Sequence, residues 1–106
     1  MTFRCPVQEQ RFVLDHVVRI HELSNDTDMV DAVLEGAAQF AEGEFAPLDR
    51  VGDTVKARWD NGTVTMPPGF HDAYQHFVEG GWGTIAAPAD AGGQGLPLAL
   101  GAAVME

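Results

Sequence analysis

One cysteine, Cys5, stands in 106 residues, so the chain can close no disulfide on itself and can assemble no thiolate metal site. A reducing, cytoplasmic compartment fits that usage. Basic residues are also scarce. Six Lys and Arg face sixteen Asp and Glu, and the formal charge of −10 repels nucleic-acid phosphates and anionic lipid surfaces at long range. Nucleic acid and membrane are therefore excluded as expected partners, and the charge reads as a solubility device. No window reaches the ~20 apolar residues of a membrane span. The start, Met1-Thr2-Phe3-Arg4-Cys5-Pro6, lacks the basic opening and apolar stretch of a secretory signal. There is no internal repeat, and Ser24 is the only serine.

What is present suits one mainly α domain spanning residues 1–106. From Gln8 to Leu23, Phe12, Val13, Val17, Ile20 and Leu23 recur at helical spacing, with His16 on the same stripe. The acidic turn Ser24-Asn25-Asp26-Thr27-Asp28 supplies an N-cap and first turn for a second helix over about Met29 to Phe45. Its expected buried face is Val30, Val33, Leu34, Ala37, Ala38, Ala41 and Phe45, and Gly36-Ala37-Ala38 allows another element to approach closely. Pro47 is expected to end the helical pattern.

Between Val55 and Met66 the period changes to two, and Asn61-Gly62 tolerates the positive φ values of a tight hairpin turn. This loop sets Trp59 opposite Val64, Ala57 opposite Met66 and Arg58 opposite Thr65, with one apolar face expected to pack on the helices or on another domain. Pro68 suits the first turn of a third helix, along which Phe70, Ala73, Tyr74, Phe77 and Val78 form a stripe that Gly80-Gly81 stops. A loop over Pro88 to Gly95 leads into a last helix. Its run Leu96 to Met105 has no polar face, so it is expected to need neighbours beyond this polypeptide, as a segment of something larger would.

Residue chemistry points to no active site. The histidines pair as His16 with His21 and His71 with His76, five apart, whereas two ligands on one helix face need three or four. Glu42 with Glu44, or Asp49 with Asp53, read as solvated surface charge. Cys5 has no base tied to it. Gly92-Gly93-Gln94-Gly95 before a helix invites a phosphate cradle, but it lacks the strand before it and the Lys and Ser or Thr after it, and Pro97 removes one amide. Tight backbone packing is the expected reason for these glycines.

A family resemblance emerges from the order of these pieces. Asp53-Thr54-Val55-Lys56 runs through Asn61-Gly62 to Pro67-Pro68-Gly69-Phe70, then to the helix with Tyr74 and Phe77, Gly81-Trp82-Gly83, Pro88, and Gly92-Gly93-Gln94-Gly95-Leu96-Pro97. Upstream stand Arg11-Phe12-Val13-Leu14 and Ala46-Pro47-Leu48-Asp49 through Gly52-Asp53. In this order the chain resembles the N-terminal helical domain of FAD-dependent acyl-CoA dehydrogenases, in their long bacterial subgroup. Asp90-Ala91 departs from the glutamate and aromatic or His pair of many relatives.

The resemblance implies three to four helices with one small hairpin, followed in the complete enzyme by a β-domain and a C-terminal helical bundle. There a carboxylate base removes the α-proton of an acyl-CoA while hydride passes from the β-carbon to FAD, which later domains and a neighbouring subunit hold. No position of this chain matches a catalytic, cofactor-binding or metal-binding residue of that family. Glu106 matches only a glutamate early in the last helix. The isolated chain is expected to bind no cofactor and to be non-catalytic. Its partners would be the remaining dehydrogenase domains, or a second copy or other protein through Leu96 to Met105.

Overall fold

The computed structural model describes residues 2–106. It is mainly α with one two-stranded antiparallel hairpin, as the sequence leads one to expect. Five α-helices occur in the order α1 Val7–Phe12, α2 Thr27–Phe40, α3 Asp49–Thr54, α4 Phe70–Glu79 and α5 Leu98–Met105. The hairpin strands β1 Arg58–Asp60 and β2 Thr63–Thr65 fall between α3 and α4.

α1 continues into a wide π-helical stretch, Val13–Val18, which Arg19 ends in a left-handed conformation (φ 59). The wider turns and the break shift the phase of the helix face, so the simple 3.6-residue stripe does not describe what is buried. Leu14 and Ile20 enter the core together with the side chain of Gln10. Phe12 (60 % exposed), Val13, Val17 (70 % exposed) and Leu23 lie on the surface instead of forming the buried stripe.

Asp26 caps α2 as expected, its carboxylate accepting the Met29 N–H at 2.9 Å. Val30, Leu34 and Ala38 are buried, and Phe45 lies exposed beyond them. Pro47 does not end the helical path. A π turn over Ala41–Phe45 passes directly into the 3₁₀ turn Ala46–Leu48 and then into α3. Pro47 sits at the start of the 3₁₀ turn, where the regular i→i−4 ladder is already interrupted and its missing N–H breaks little.

The hairpin has the register that Asn61-Gly62 dictates: Arg58 opposite Thr65, Trp59 opposite Val64, Asp60 opposite Thr63. Asn61 (φ 50) and Gly62 (φ 85) both take positive φ. Its apolar face does not pack on this chain's helices: Trp59 is 73 % exposed, and Val64 and Met66 are open too. Pro68 lies in the turn before α4 rather than in its first turn, because left-handed Gly69 (φ 88) starts the helix. Of the α4 stripe, Ala73 is buried and Phe70 and Phe77 half-buried, while Tyr74 and Val78 face solvent. α4 ends at Glu79, with Gly80 as its C-cap and Gly81 left-handed.

The core joins both ends of the chain. Leu14, Ile20, Val30, Leu34 and Leu100 bring α1, α2 and α5 together, and Val7, Met29, Val33, Leu96, Ala99 and Ala103 pack around them. The molecule is a flat slab of 52 × 38 × 18 Å with a radius of gyration of 16.2 Å. A compact domain of this length has about 13 Å. Its accessible surface, 7536 Å², exceeds by roughly 1,800 Å² what a compact monomer of 11.4 kDa exposes.

Candidate functional site

The acidic pairs have separate structural roles. The Glu42 carboxylate accepts the Cys5 N–H at 2.8 Å and the Arg4 guanidinium at 3.1 Å, tying the N-terminal segment to the π turn at the end of α2. The Glu44 carboxylate meets His76 Nδ1 at 3.0 Å and links that same end to α4. Asp49 and Asp53 lie one turn apart on α3, exposed and without an ion-pair partner among the described residues.

His16 lies over Phe12 with ring centroids 4.9 Å apart, and His21 and His71 are exposed. Among the described residues no group of three or more His, Cys, Asp or Glu is placed to hold a metal ion. The Ser24 hydroxyl accepts the Asp26 N–H within its turn. Burial, and then the charges of Glu42, Glu106 and Glu35, push the Cys5 thiol up, so it stays protonated and donates weakly to Gln10 Oε1. A thiol so placed is a poor nucleophile.

The glycine-rich loop is closed on itself. Five successive amides, from Gly92 to Leu96, donate to the carbonyls of Ala89, Pro88, Thr84, Ala87 and Ile85, and Pro97 has no amide to offer. A Cβ on Gly93 would stand 2.2 Å from the Ala87 carbonyl oxygen, so the glycine is required by close backbone packing. Gln94 Nε2 fastens the loop further by donating to the Gly81 carbonyl at 3.1 Å. No free N–H in the loop points at a ligand, so neither phosphate nor the diphosphate of a flavin dinucleotide has a cradle there.

The concave feature of note is an apolar groove of about 610 Å³ between α3 and α4. Phe45, Leu48, Phe70, Ala73 and Tyr74 line it, with Asp49 and Asp53 beside them. Close packing at glycine shapes it: the Phe70 ring covers Gly52 and the Leu48 side chain covers Gly69. Behind it Phe45 and Phe77 stack at 6.0 Å, and Phe40 bridges them to Trp82. Sequence reasoning missed this groove because α3 was not expected. The signal it carried was the pair Gly52 and Phe70, a small residue on one element facing a large one on the next.

A second open surface lies along α1 and α5. Leu98 is 80 % exposed and Met105 largely so, while Leu100 on the opposite side of α5 and Gly101 on its flank are buried. The apolar run over Leu96 to Met105 is thus covered on one side only. Among the described residues no helix is long and apolar enough to cross a membrane.

No protein-family model matches the chain. It is 37 % identical to 3-methylmercaptopropionyl-CoA dehydrogenase of Ruegeria pomeroyi over 113 aligned positions, which take in all of this chain and 19 % of that protein. The chain thus spans about a fifth of the length of the curated relative it matches. The likeness to acyl-CoA dehydrogenases read from the motifs extends along the whole chain.

Proposed function

We infer that this chain, residues 1–106, is the N-terminal helical domain of an acyl-CoA dehydrogenase-type flavoenzyme. The observation that carries this reading is whole-chain likeness to about a fifth of such an enzyme. The large exposed surface of a flat, incompletely covered core supports it. In the complete enzyme the reaction is α,β-dehydrogenation of an acyl-CoA, and FAD supplies the hydride acceptor when bound. The relative's name, 3-methylmercaptopropionyl-CoA dehydrogenase, supports an acyl-CoA as the substrate class. The glycine loop offers the flavin no free amide, which supports its being held by the other domains.

The part assigned to this chain is structural: it packs against the remaining domains and forms one wall of the acyl site, in a cytoplasmic enzyme of fatty acid metabolism. Alone it is inert. Mixing the purified chain with FAD and an acyl-CoA and following reduction of an electron-accepting dye tests this, and robust turnover overturns it. Reading the gene past the Glu106 codon is the companion test, since a flavin-binding part should follow in frame.

The open side of α5 favours a second reading, a helical module that pairs with itself or a partner through Leu96 to Met105. Its mark is association that a polar residue at Leu98 abolishes.

A further inference from the structure

Asn25 and Asn61 are the two asparagines of the chain, and both are exposed. They differ at the next peptide nitrogen, the backbone atom that can attack an asparagine side chain. After Asn25 that nitrogen belongs to Asp26, whose N–H donates to Ser24 Oγ at 3.4 Å and whose carboxylate is engaged as the cap of α2. After Asn61 it belongs to Gly62 at the tip of the hairpin. Its N–H donates to no acceptor among the described residues, and glycine has no side chain to shield it. A Cβ at Gly62 would meet nothing within 4 Å, so the space around this nitrogen is open.

We propose that Asn61 is a site of spontaneous covalent modification, in which its side-chain amide is lost to the Gly62 nitrogen and the hairpin is unlatched. The Gly62 nitrogen gives its proton to solvent base and bonds to Asn61 Cγ. The Cγ–Nδ2 bond then breaks, ammonia leaves, and a five-membered imide remains. Because nucleophile and carbonyl belong to neighbouring residues, ring closure has the advantage of an intramolecular reaction. Water opens the ring at either carbonyl: at Cγ it leaves an aspartate, and at the main-chain carbonyl an isoaspartate whose backbone runs through Cβ. Nothing is oxidised or reduced, and water is the co-reactant.

The hairpin sets the pace of this chemistry. In the closed turn Asn61 is left-handed (φ 50), a conformation that points the next nitrogen away from the residue's own side chain, so attack requires the turn to open. Two strands of three residues, all exposed, open at little cost. The product cannot close again in the same way. The pairing of Trp59 with Val64 and Arg58 with Thr65 depends on a two-residue loop, and isoaspartate lengthens that loop by one main-chain carbon. The aspartate product sets a second carboxylate beside Asp60.

Ageing the 106-residue chain in mildly alkaline buffer, followed by tryptic mass mapping, tests the proposal. Arg58 is the last basic residue, so Asn61 falls in the peptide of residues 59–106 and Asn25 in that of residues 20–50. The first should gain the mass of an amide-to-acid exchange and split into two species of equal mass, while the second stays as it was. Asn61→Gly, which still suits a turn with positive φ, abolishes the new species. Val64→Ser weakens the cross-strand pair with Trp59 and speeds the conversion. In the isolated isoaspartate form the Trp59–Val64 cross-strand NOEs disappear while circular dichroism retains the helix content. An unchanged 59–106 peptide, equal conversion at Asn25, a rate indifferent to Val64→Ser, or NOEs that survive in the isoaspartate form overturns the proposal.

Discussion

The indole of Trp82 seats directly on Gly36: a Cβ at Gly36 would stand 3.1 Å from Trp82 Cη2. The indole Nε1 fills the space where a Cβ on Gly80 would fall, 2.7 Å away, and the Phe40 ring lies 6.3 Å off between centroids. Gly36 therefore lets α2 sit closely against the indole that follows α4.

In an open helix position Gly→Ala gains roughly 1 kcal/mol. Gly36→Ala is expected to forfeit that gain to the clash with Trp82 and leave stability unchanged or lower. Gly43→Ala, where a Cβ meets nothing within 4 Å, should raise stability by about 0.5–1 kcal/mol. Urea denaturation of the two variants side by side decides it. A Gly36→Ala variant as stable as Gly43→Ala would show that the indole has room to move.

The loop over Gly92 to Leu96 gives a second expectation. Gly93→Ala forces a methyl group into the Ala87 carbonyl, which is backbone and cannot rotate away, so the variant should lose about 2–3 kcal/mol. Titration of the wild type with inorganic phosphate or coenzyme A should leave the amide resonances of Gly92 to Leu96 unmoved, since all five already donate internally. A saturable shift at those amides would contradict the closed loop.

These cases show which parts of the fold were legible beforehand. The hairpin register follows from Asn61-Gly62 alone, because a two-residue loop with two positive φ values leaves no freedom in the pairing. The Asp26 cap, the Gly80-Gly81 stop and the packed glycine loop were readable for the same reason: each is a local backbone requirement. The face of α1 was not, because π turns and a left-handed Arg19 replace the regular period, and neither has a clear sequence mark. α3 was hidden by Pro47, whose lost hydrogen bond is harmless only beside the preceding π turn. The groove went unseen with it, since Gly52 and Phe70 meet only after both elements are placed.

The ion pair between Glu44 and His76 makes stability depend on pH. The hydrogen bond and then the charge of Glu44 raise the His76 pKa above its ordinary 6.5 against the opposing effect of desolvation, with lesser help from Glu79 and Asp72. A folded-state pKa above the unfolded one means the contribution is fully present below about pH 6.5 and fades as pH rises through the folded value. The melting temperature of the wild type should therefore exceed that of His76→Gln at mildly acidic pH, and the gap should close on the alkaline side. A gap that stays constant across this window would assign the contact no protonation role.

Gln10 connects the two ends of the chain through the core. Its Nε2 donates to the Ala103 carbonyl at 3.1 Å and to the Glu106 carboxylate at 3.2 Å, from a side chain that is itself buried. Ala103 lies in the last turn of α5, where carbonyls have no acceptor role left within the helix, so the amide satisfies a group that would otherwise be orphaned. Gln10→Met keeps the volume and removes the donor, and should cost about 1–3 kcal/mol. Gln8→Met, exposed on the same helix, should change stability by less than about 0.5 kcal/mol. Hydrogen exchange separates this from a general loss of packing: in Gln10→Met the amides of α5 should exchange faster while those of α4 keep their wild-type protection. Equal acceleration in both helices would mean that the amide contributes bulk alone and does not fasten α5 to α1.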